Sequence, residues 1–296
     1  MRKILSVLLA ICLLTAVASS AIAAGTIRVG AKNFTEQYVL GHMIAKLLDK
    51  AGYDVRTTMG TGSTVTRSAL ETGQIDLYPE YTGTAWTLYL ENDSIITDPE
   101  ELYQKVSAED LEKHRIVWLE PSAINNTYAM AITNKAAETI GTTLSQLAEY
   151  VNEQSEEIVF GINHEFYERP DGFFAMAKHY GMKVDQDQVR AMETGITFEA
   201  MRRGQVHVTM VFATDGKIAE FDLHVLEDDK QFFPVYSLAV SVRKEVLEAN
   251  PDLREALAPI TQLTDEIMQR LNYEVDVQGK PAEMVATEYL KEAGLI

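Results

Sequence analysis

The chain has 296 residues, of which 46% are apolar, 8% aromatic and 24% charged, enough for roughly two domains with a sizeable core and too apolar for wholesale disorder. Lys and Arg number 26 against 44 Asp and Glu, so the formal charge is −18. Such an excess of negative charge repels a phosphate backbone and an anionic membrane surface, which excludes nucleic acid as a partner class.

Arg2 and Lys3 precede an apolar run from Ile4 to Val17, and Ala21-Ile22-Ala23 follows it. This is the layout of a secretory signal peptide over residues 1–23. The competing reading is a membrane anchor, but the run is shorter than the ~20 residues a spanning helix needs. Cys12 lies too early for a lipid-attachment cysteine, behind Ile11 and ahead of more apolar chain. Cleavage after Ala23 would remove the only cysteine. The exported protein is then held by its core alone.

Ile27 and Val29 predict a short strand, followed by a loop over Gly30-Ala31-Lys32-Asn33-Phe34 and a helix capped by Thr35. Leu40, Met43, Ile44, Leu47 and Leu48 recur at helical spacing and face a core. Tyr53, Val55, Thr57 and Met59 alternate as a strand, a second helix runs from Ser63 to Thr72, and Ile75 and Leu77 open a third strand. The rhythm resumes with a helix at Leu144, Leu147, Ala148 and Val151, a strand at Ile158-Val159-Phe160, and a helix at Phe173 to Ala177 that Gly181 ends. Val206 to Phe212 and Val235 to Val242 read as strands, and helices fill most of the stretch from Lys244 to Ala293. Strands and helices alternating through short connections define an α/β protein with largely parallel sheets. No linker separates the halves, so the chain is expected to cross between two domains twice.

One internal echo stands out. Ala69-Leu70-Glu71-Thr72-Gly73-Gln74-Ile75-Asp76-Leu77 resembles Ala200-Met201-Arg202-Arg203-Gly204-Gln205-Val206-His207-Val208. Eight residues after each glycine comes a ring, Tyr81 and Phe212, and a glycine follows each ring at Gly83 and Gly216. Ligands of α/β sheets bind at the carboxyl ends of strands. If each copy belongs to one lobe, the two rings face each other across a cleft; the alternative is chance recurrence of a helix–Gly–strand joint.

Signatures of catalysis are missing from the sequence. The six histidines show no metal-ligand spacing, and there is neither a Gly-x-Ser-x-Gly elbow nor a cysteine nucleophile in the exported chain. Gly60-Thr61-Gly62-Ser63 precedes a helix and offers N–H groups to an anion, but without a Gly-Lys-Ser/Thr ending it reads more simply as a tight turn. Asp76, Glu80 and His164 are the candidates if the chain were instead an exported hydrolase.

Aromatic residues stand at loop–strand junctions in Tyr78-Pro79-Glu80-Tyr81, Asn125-Asn126-Thr127-Tyr128, Phe212-Ala213-Thr214-Asp215-Gly216 and Phe232-Phe233-Pro234-Val235-Tyr236. Each ring taken singly fits a core as well as a ligand wall. Together they suit a quaternary ammonium group, which has no N–H to donate and is held by ring faces instead.

These segments, with Val29-Gly30-Ala31-Lys32-Asn33-Phe34-Thr35-Glu36-Gln37, Glu165-Phe166, Arg169, Asp171-Gly172 and Leu271-Asn272-Tyr273-Glu274-Val275-Asp276, stand in an order that resembles the substrate-binding proteins of ATP-driven importers for glycine betaine, choline and related osmoprotectants. The resemblance covers essentially all of the exported chain. It implies a two-lobed periplasmic-binding-protein fold (type II-like) with the ligand cleft between the lobes and two hinge crossovers. One lobe would comprise residues 24–127 and 235–296, the other residues 128–234.

The resemblance further implies an aromatic cage of Tyr81, Tyr128, Phe212 and Tyr236, with carboxylate or polar contacts from Lys32, Thr84 and Arg169 and with Glu165 and Asn126 nearby. Phe212 departs from the tyrosine common at its place and lacks the hydroxyl. Lys32 and Arg169 read alternatively as a surface ion pair with Glu36 or Glu165, and Thr84 as the N-cap of the helix carrying Trp86 and Leu90.

The implied function is capture of a betaine and its delivery to an inner-membrane ABC permease with its ATPase, by a monomer with no cofactor, metal or catalytic residue. Choline, carnitine or a cationic amino-acid-like solute is the alternative ligand, and a receptor's sensor the alternative use of the same closure.

Overall fold

A computed structural model describes residues 24–153 and 158–296. The expected signal peptide at residues 1–23 lies outside them. Two five-stranded sheets carry the architecture.

The first sheet begins with β1 (Ala24–Lys32), helix α1 (Thr35–Lys50), β2 (Tyr53–Thr61), α2 (Ser63–Glu71) and β3 (Leu77–Tyr81). After β3 the chain turns into a helical segment, Thr82–Thr84, that widens into a π-helix over Ala85–Tyr89, then α3 (Pro99–His114) and β4 (Ile116–Trp118). The second sheet follows: β5 (Tyr128–Thr133), α4 (Asn134–Ile140), α5 (Leu144–Glu153), β6 (Phe160–Asn163), α6 (His164–Glu168), α7 (Phe173–His179), β7 (Val189–Met192), α8 (Ile196–Arg202), β8 (Val208–Phe212), α9 (Lys217–Glu220) and β9 (Leu223–Val225). The chain then returns to the first sheet through β10 (Leu238–Arg243) and closes with α10 (Lys244–Ala249), α11 (Leu253–Leu257), α12 (Asp265–Asp276) and α13 (Ala282–Glu292).

Strand order is β2-β1-β3-β10-β4 in one sheet and β7-β6-β8-β5-β9 in the other. In both, three parallel strands are followed by one antiparallel strand, β10 or β5, and then by an edge strand, β4 or β9, that is antiparallel to it and so runs with the first three. The two sheets are therefore topological copies in which β3 corresponds to β8. The sequence echo runs into these two strands, and its glycines do the same work. Gly73 and Gly204 have φ of +73° and +67°, and the following Gln74 and Gln205 donate their N–H to Ala69 and Ala200 across the helix end, each at 2.8 Å. A left-handed residue is needed there, which glycine adopts without strain.

Two segments, residues 119–127 and 226–237, connect the sheets. They run side by side: Asn125 bridges to Ser237, and the Asn126 N–H donates to the Tyr236 carbonyl at 3.1 Å. Hydrogen bonding of the crossovers thus places Asn126, Tyr128 and Tyr236 between the lobes. In the first lobe the predicted stripe of Leu40, Met43, Ile44, Leu47 and Leu48 is wholly buried, packed with Val285, Ala286 and Leu290 of α13.

Three local expectations are corrected. Thr35 does not cap α1; Phe34 takes the cap position with no side-chain bond, and the Thr35 hydroxyl donates to Asp276 at 2.6 Å instead. The Tyr78–Tyr81 stretch is strand rather than loop. Pro79 is tolerated because β3 pairs with β1 only at Leu77, leaving the proline without a partner strand on its first-sheet neighbour's side. Thr84 lies inside the helical turn that opens at Tyr81 and so is not a cap.

Candidate functional site

A cavity of about 450 Å³ opens between the two sheets, within the range of small-ligand sites. Its walls include Lys32, Tyr81, Thr84, Asn126, Tyr128, Glu165, Arg169, Phe212 and Tyr236, so the nine residues singled out from the sequence are brought together. Phe34, Ser63 and His164 also line it.

The rings form one connected wall. Tyr128 opens β5 directly opposite Phe212 at the end of β8, with ring centres 5.0 Å apart. Tyr236 meets Tyr128 edge-on at 5.7 Å. Tyr81 ends β3 in the other lobe and reaches the group through Phe34, which lies 6.3 Å from Tyr81 and stacks on Phe212 at 5.2 Å. The far side of Tyr128 is backed by Phe166 at 4.8 Å, which fixes its plane. Gly83 must be glycine because a Cβ there would stand 2.8 Å from the Tyr236 ring. Phe34 is the ring that sequence reasoning missed. The rule that found the others, an aromatic at a loop–strand junction, applies to it as well, since β1 ends at Lys32.

Both cations are buried and already paired. Lys32 Nζ lies 2.5 Å from Glu80 Oε1, and Glu80 Oε2 accepts the hydroxyls of Tyr78 and Tyr89 at 2.7 and 2.9 Å. Arg169 grips Asp171 through Nε and Nη2 at 2.8 and 2.6 Å and reaches Glu165 at 3.4 Å. The surface-pair reading therefore fails on burial, and for Lys32 on partner too. Each cation also faces a ring, Lys32 over Tyr81 at 5.4 Å and Arg169 over Tyr128 at 5.6 Å.

Glu165 spans the cleft. It accepts the Ser63 hydroxyl at 2.6 Å and the Ser63 N–H at 3.4 Å, at the start of α2. Gly60-Thr61-Gly62-Ser63 therefore does present donors to an anion, and that anion is the protein's own. Burial alone would raise the Glu165 pKa, but the charges of Lys32 and Arg169 and the bonds from Ser63 outweigh it and hold the carboxyl below its ordinary value. Asp171 is lowered in the same way, the Arg169 fork overcoming its desolvation.

Behind the rings sits a carboxylate with no ion pair among the described residues. Glu36 accepts the Tyr81 hydroxyl at 2.7 Å, Asn126 Nδ2 at 2.9 Å and Asn272 Nδ2 at 3.1 Å. Burial pushes its pKa up against these bonds. Asn126 in turn accepts the Thr214 hydroxyl at 3.0 Å, which ties the first lobe to the loop after Phe212.

The hydrolase candidates do not assemble. Asp76 is absent from the cavity wall and is held by Arg28 at 2.6 Å, while Glu80 is engaged by Lys32 and two tyrosines. Neither bonds to His164. Among the described residues no group of three or more His, Cys, Asp or Glu could hold a metal ion, and no helix is long and apolar enough to cross a membrane.

Two lobes of matching topology, twin crossovers and a ring-lined chamber with charges of both signs between them define a two-lobed solute-binding protein. Comparison with known proteins makes this specific: residues 25–292 match the family described as the substrate binding domain of ABC-type glycine betaine transport systems, and the chain belongs to that family. It is 39% identical over 280 residues to a glycine-betaine-binding protein of Pseudomonas aeruginosa, covering 92% of this chain and 89% of that one. An ergothioneine transport permease/ergothioneine binding protein of Helicobacter pylori is 34% identical over 90% of this chain and 47% of its own length. A solved glycine betaine/carnitine/choline ABC transporter structure is 30% identical and superposes with a TM-score of 0.72, covering 91% of this chain and 99% of that one. The expected fold, a two-lobed binding protein of mixed α/β type, is the fold observed.

Proposed function

We propose that this protein captures a quaternary ammonium betaine, glycine betaine or a close analogue, and delivers it in the periplasm to an inner-membrane ABC permease with its ATPase. The carrying observation is the convergence of Tyr81, Tyr128, Phe212 and Tyr236, drawn from both lobes, on one cavity. A permanently methylated nitrogen gains about 0.5–2 kcal/mol from each desolvated ring face and cannot exploit hydrogen-bonding carboxylates. Lys32, Arg169 and Thr84 are assigned to the ligand's carboxylate, with Glu165 and Asn126 beside it. The protein acts as a monomer and makes no covalent change to its ligand. The lobes divide at 127/128 and 234/235, so closure turns on the paired crossovers, and a ligand that prefers the closed form shifts the equilibrium by that preference alone.

One observation favours a second reading, choline. Lys32 and Arg169 already have carboxylate partners, so a ligand without a carboxylate strands no cation. Calorimetry of the protein with glycine betaine, proline betaine, carnitine, choline and free amino acids tests both readings. Tight binding of trimethylated ligands over their unmethylated analogues is expected. Equal or better binding of the unmethylated compounds would remove the cage from the mechanism.

A further inference from the structure

Beyond the ligand cavity lies a second one of about 540 Å³, also between the lobes. The two share Asn33, Phe34, Asn126, Thr194 and Phe212 in their walls. Phe34 comes from the first lobe and Phe212 from the second, and their rings stack at 5.2 Å and 22°. This ring pair is the apolar part of the partition between the two cavities, with Asn33, Asn126 and Thr194 beside it. On its far side stand two more rings, Phe198 and Phe221, 5.5 Å apart, with Glu36 and Asp215 nearby.

We propose that Phe34 is a specificity-determining residue: it supplies a fifth face to the ammonium head and limits the size of the groups that head can carry. This rests on the quaternary ammonium reading. Phe34 bridges Tyr81 of one lobe and Phe212 of the other, so it closes the cage where the lobes meet. A head bearing three methyl groups fits against such a wall. Replacing one methyl with an aryl-methyl group would require the volume that the Phe34 ring fills. Removing that ring would open the partition toward the second cavity and give the extra group room beside the half-buried Phe221 ring, since Phe198 is buried in the core with the Lys217 ammonium over its face. The side chain is suited to such a role because it is only half-buried and its cap position involves no side-chain hydrogen bond, so it can change without loss of a structural bond.

The test is calorimetry of wild type, Phe34→Leu and Phe34→Ala with two ligands, glycine betaine and the betaine in which one N-methyl is replaced by benzyl. Wild type is expected to bind glycine betaine and to discriminate strongly against the benzyl analogue. Phe34→Ala should weaken glycine betaine by about 2- to 30-fold, the equivalent of one ring face, and should improve the benzyl analogue by tenfold or more. Phe34→Leu, which lacks the ring face but keeps much of the volume, should weaken glycine betaine while still discriminating against the benzyl compound. An unchanged preference between the ligands in Phe34→Ala, or a wild type that accepts both equally, overturns the inference. Failure of wild type to bind either ligand would instead overturn the quaternary ammonium reading itself.

Discussion

The Tyr81 hydroxyl donates to the Glu36 carboxylate at 2.7 Å, and no ion pair to Glu36 forms among the described residues. A cage ring is therefore anchored to a buried charge that is stabilised by hydrogen bonds alone. Removing the hydroxyl leaves that charge one donor short, which costs about 1–3 kcal/mol. Tyr81→Phe is accordingly expected to lower unfolding free energy by that amount in urea titrations. Its affinity for glycine betaine should stay within a few-fold of wild type, since the ring face remains. Unchanged stability would show that Glu36 does not depend on this bond.

Glu36 and Asp215 give stability an unusual pH dependence. Burial lifts Asp215 to about 7, with Asp276 and Glu36 adding to the rise, although its carboxylate accepts the Phe212 N–H at 2.8 Å. In the unfolded chain the same group has an ordinary value of 3.8. Between these values the folded state binds the proton more tightly, so stability falls as pH rises through the window. His42 acts in the opposite sense, because burial lowers its pKa. The readout is therefore the difference between wild type and Asp215→Asn, in which the amide oxygen still accepts from Phe212. The melting temperature of wild type should fall relative to the variant from pH 5.5 to pH 7.5; parallel curves would exclude a titrating Asp215.

Tyr128 is the hub of the ring wall, touching Phe166, Phe212, Phe233 and Tyr236 and facing the Arg169 guanidinium. Tyr128→Ala removes a ring face and loosens its neighbours. Affinity for glycine betaine should fall at least about 30-fold, the upper end for one desolvated ring. Calorimetry that returned the wild-type constant would take Tyr128 out of the cage.

How much of this was legible in the sequence follows from the range of each signal. Helical stripes and glycine caps are local, so α1, α2 and the echo that leads into β3 and β8 could be read directly. Tyr81, Tyr128, Phe212 and Tyr236 were visible because each follows or opens a strand. The partners of the charged residues were not. Glu80 is 48 positions from Lys32 and meets it only because β3 lies beside β1, and Glu165 reaches Ser63 across 102 positions and between lobes. β4, β7 and β9 are three or four residues long, too short for periodicity to register.

The Lys32–Glu80 pair decides between a betaine and choline. Replacing only the lysine would leave Glu80 buried beside two tyrosines, with a penalty unrelated to ligand. The double variant Lys32→Met with Glu80→Gln removes both charges and keeps a polar partner for the hydroxyls of Tyr78 and Tyr89. Exchanging a buried ion pair for neutral groups of similar volume is close to neutral for stability, but the glutamine NH2 then faces the Tyr81 N–H that Glu80 Oε1 accepts at 2.7 Å, a cost of about 1–3 kcal/mol that both ligands share. If Lys32 turns from Glu80 to the ligand's carboxylate on binding, glycine betaine loses one charge-assisted hydrogen bond of about 1.5–3 kcal/mol, a fall of roughly 10- to 100-fold. Choline, which has no carboxylate, should change by less than about threefold. Equal losses for both ligands would confine Lys32 to a structural role and leave Arg169 as the candidate for the acidic end.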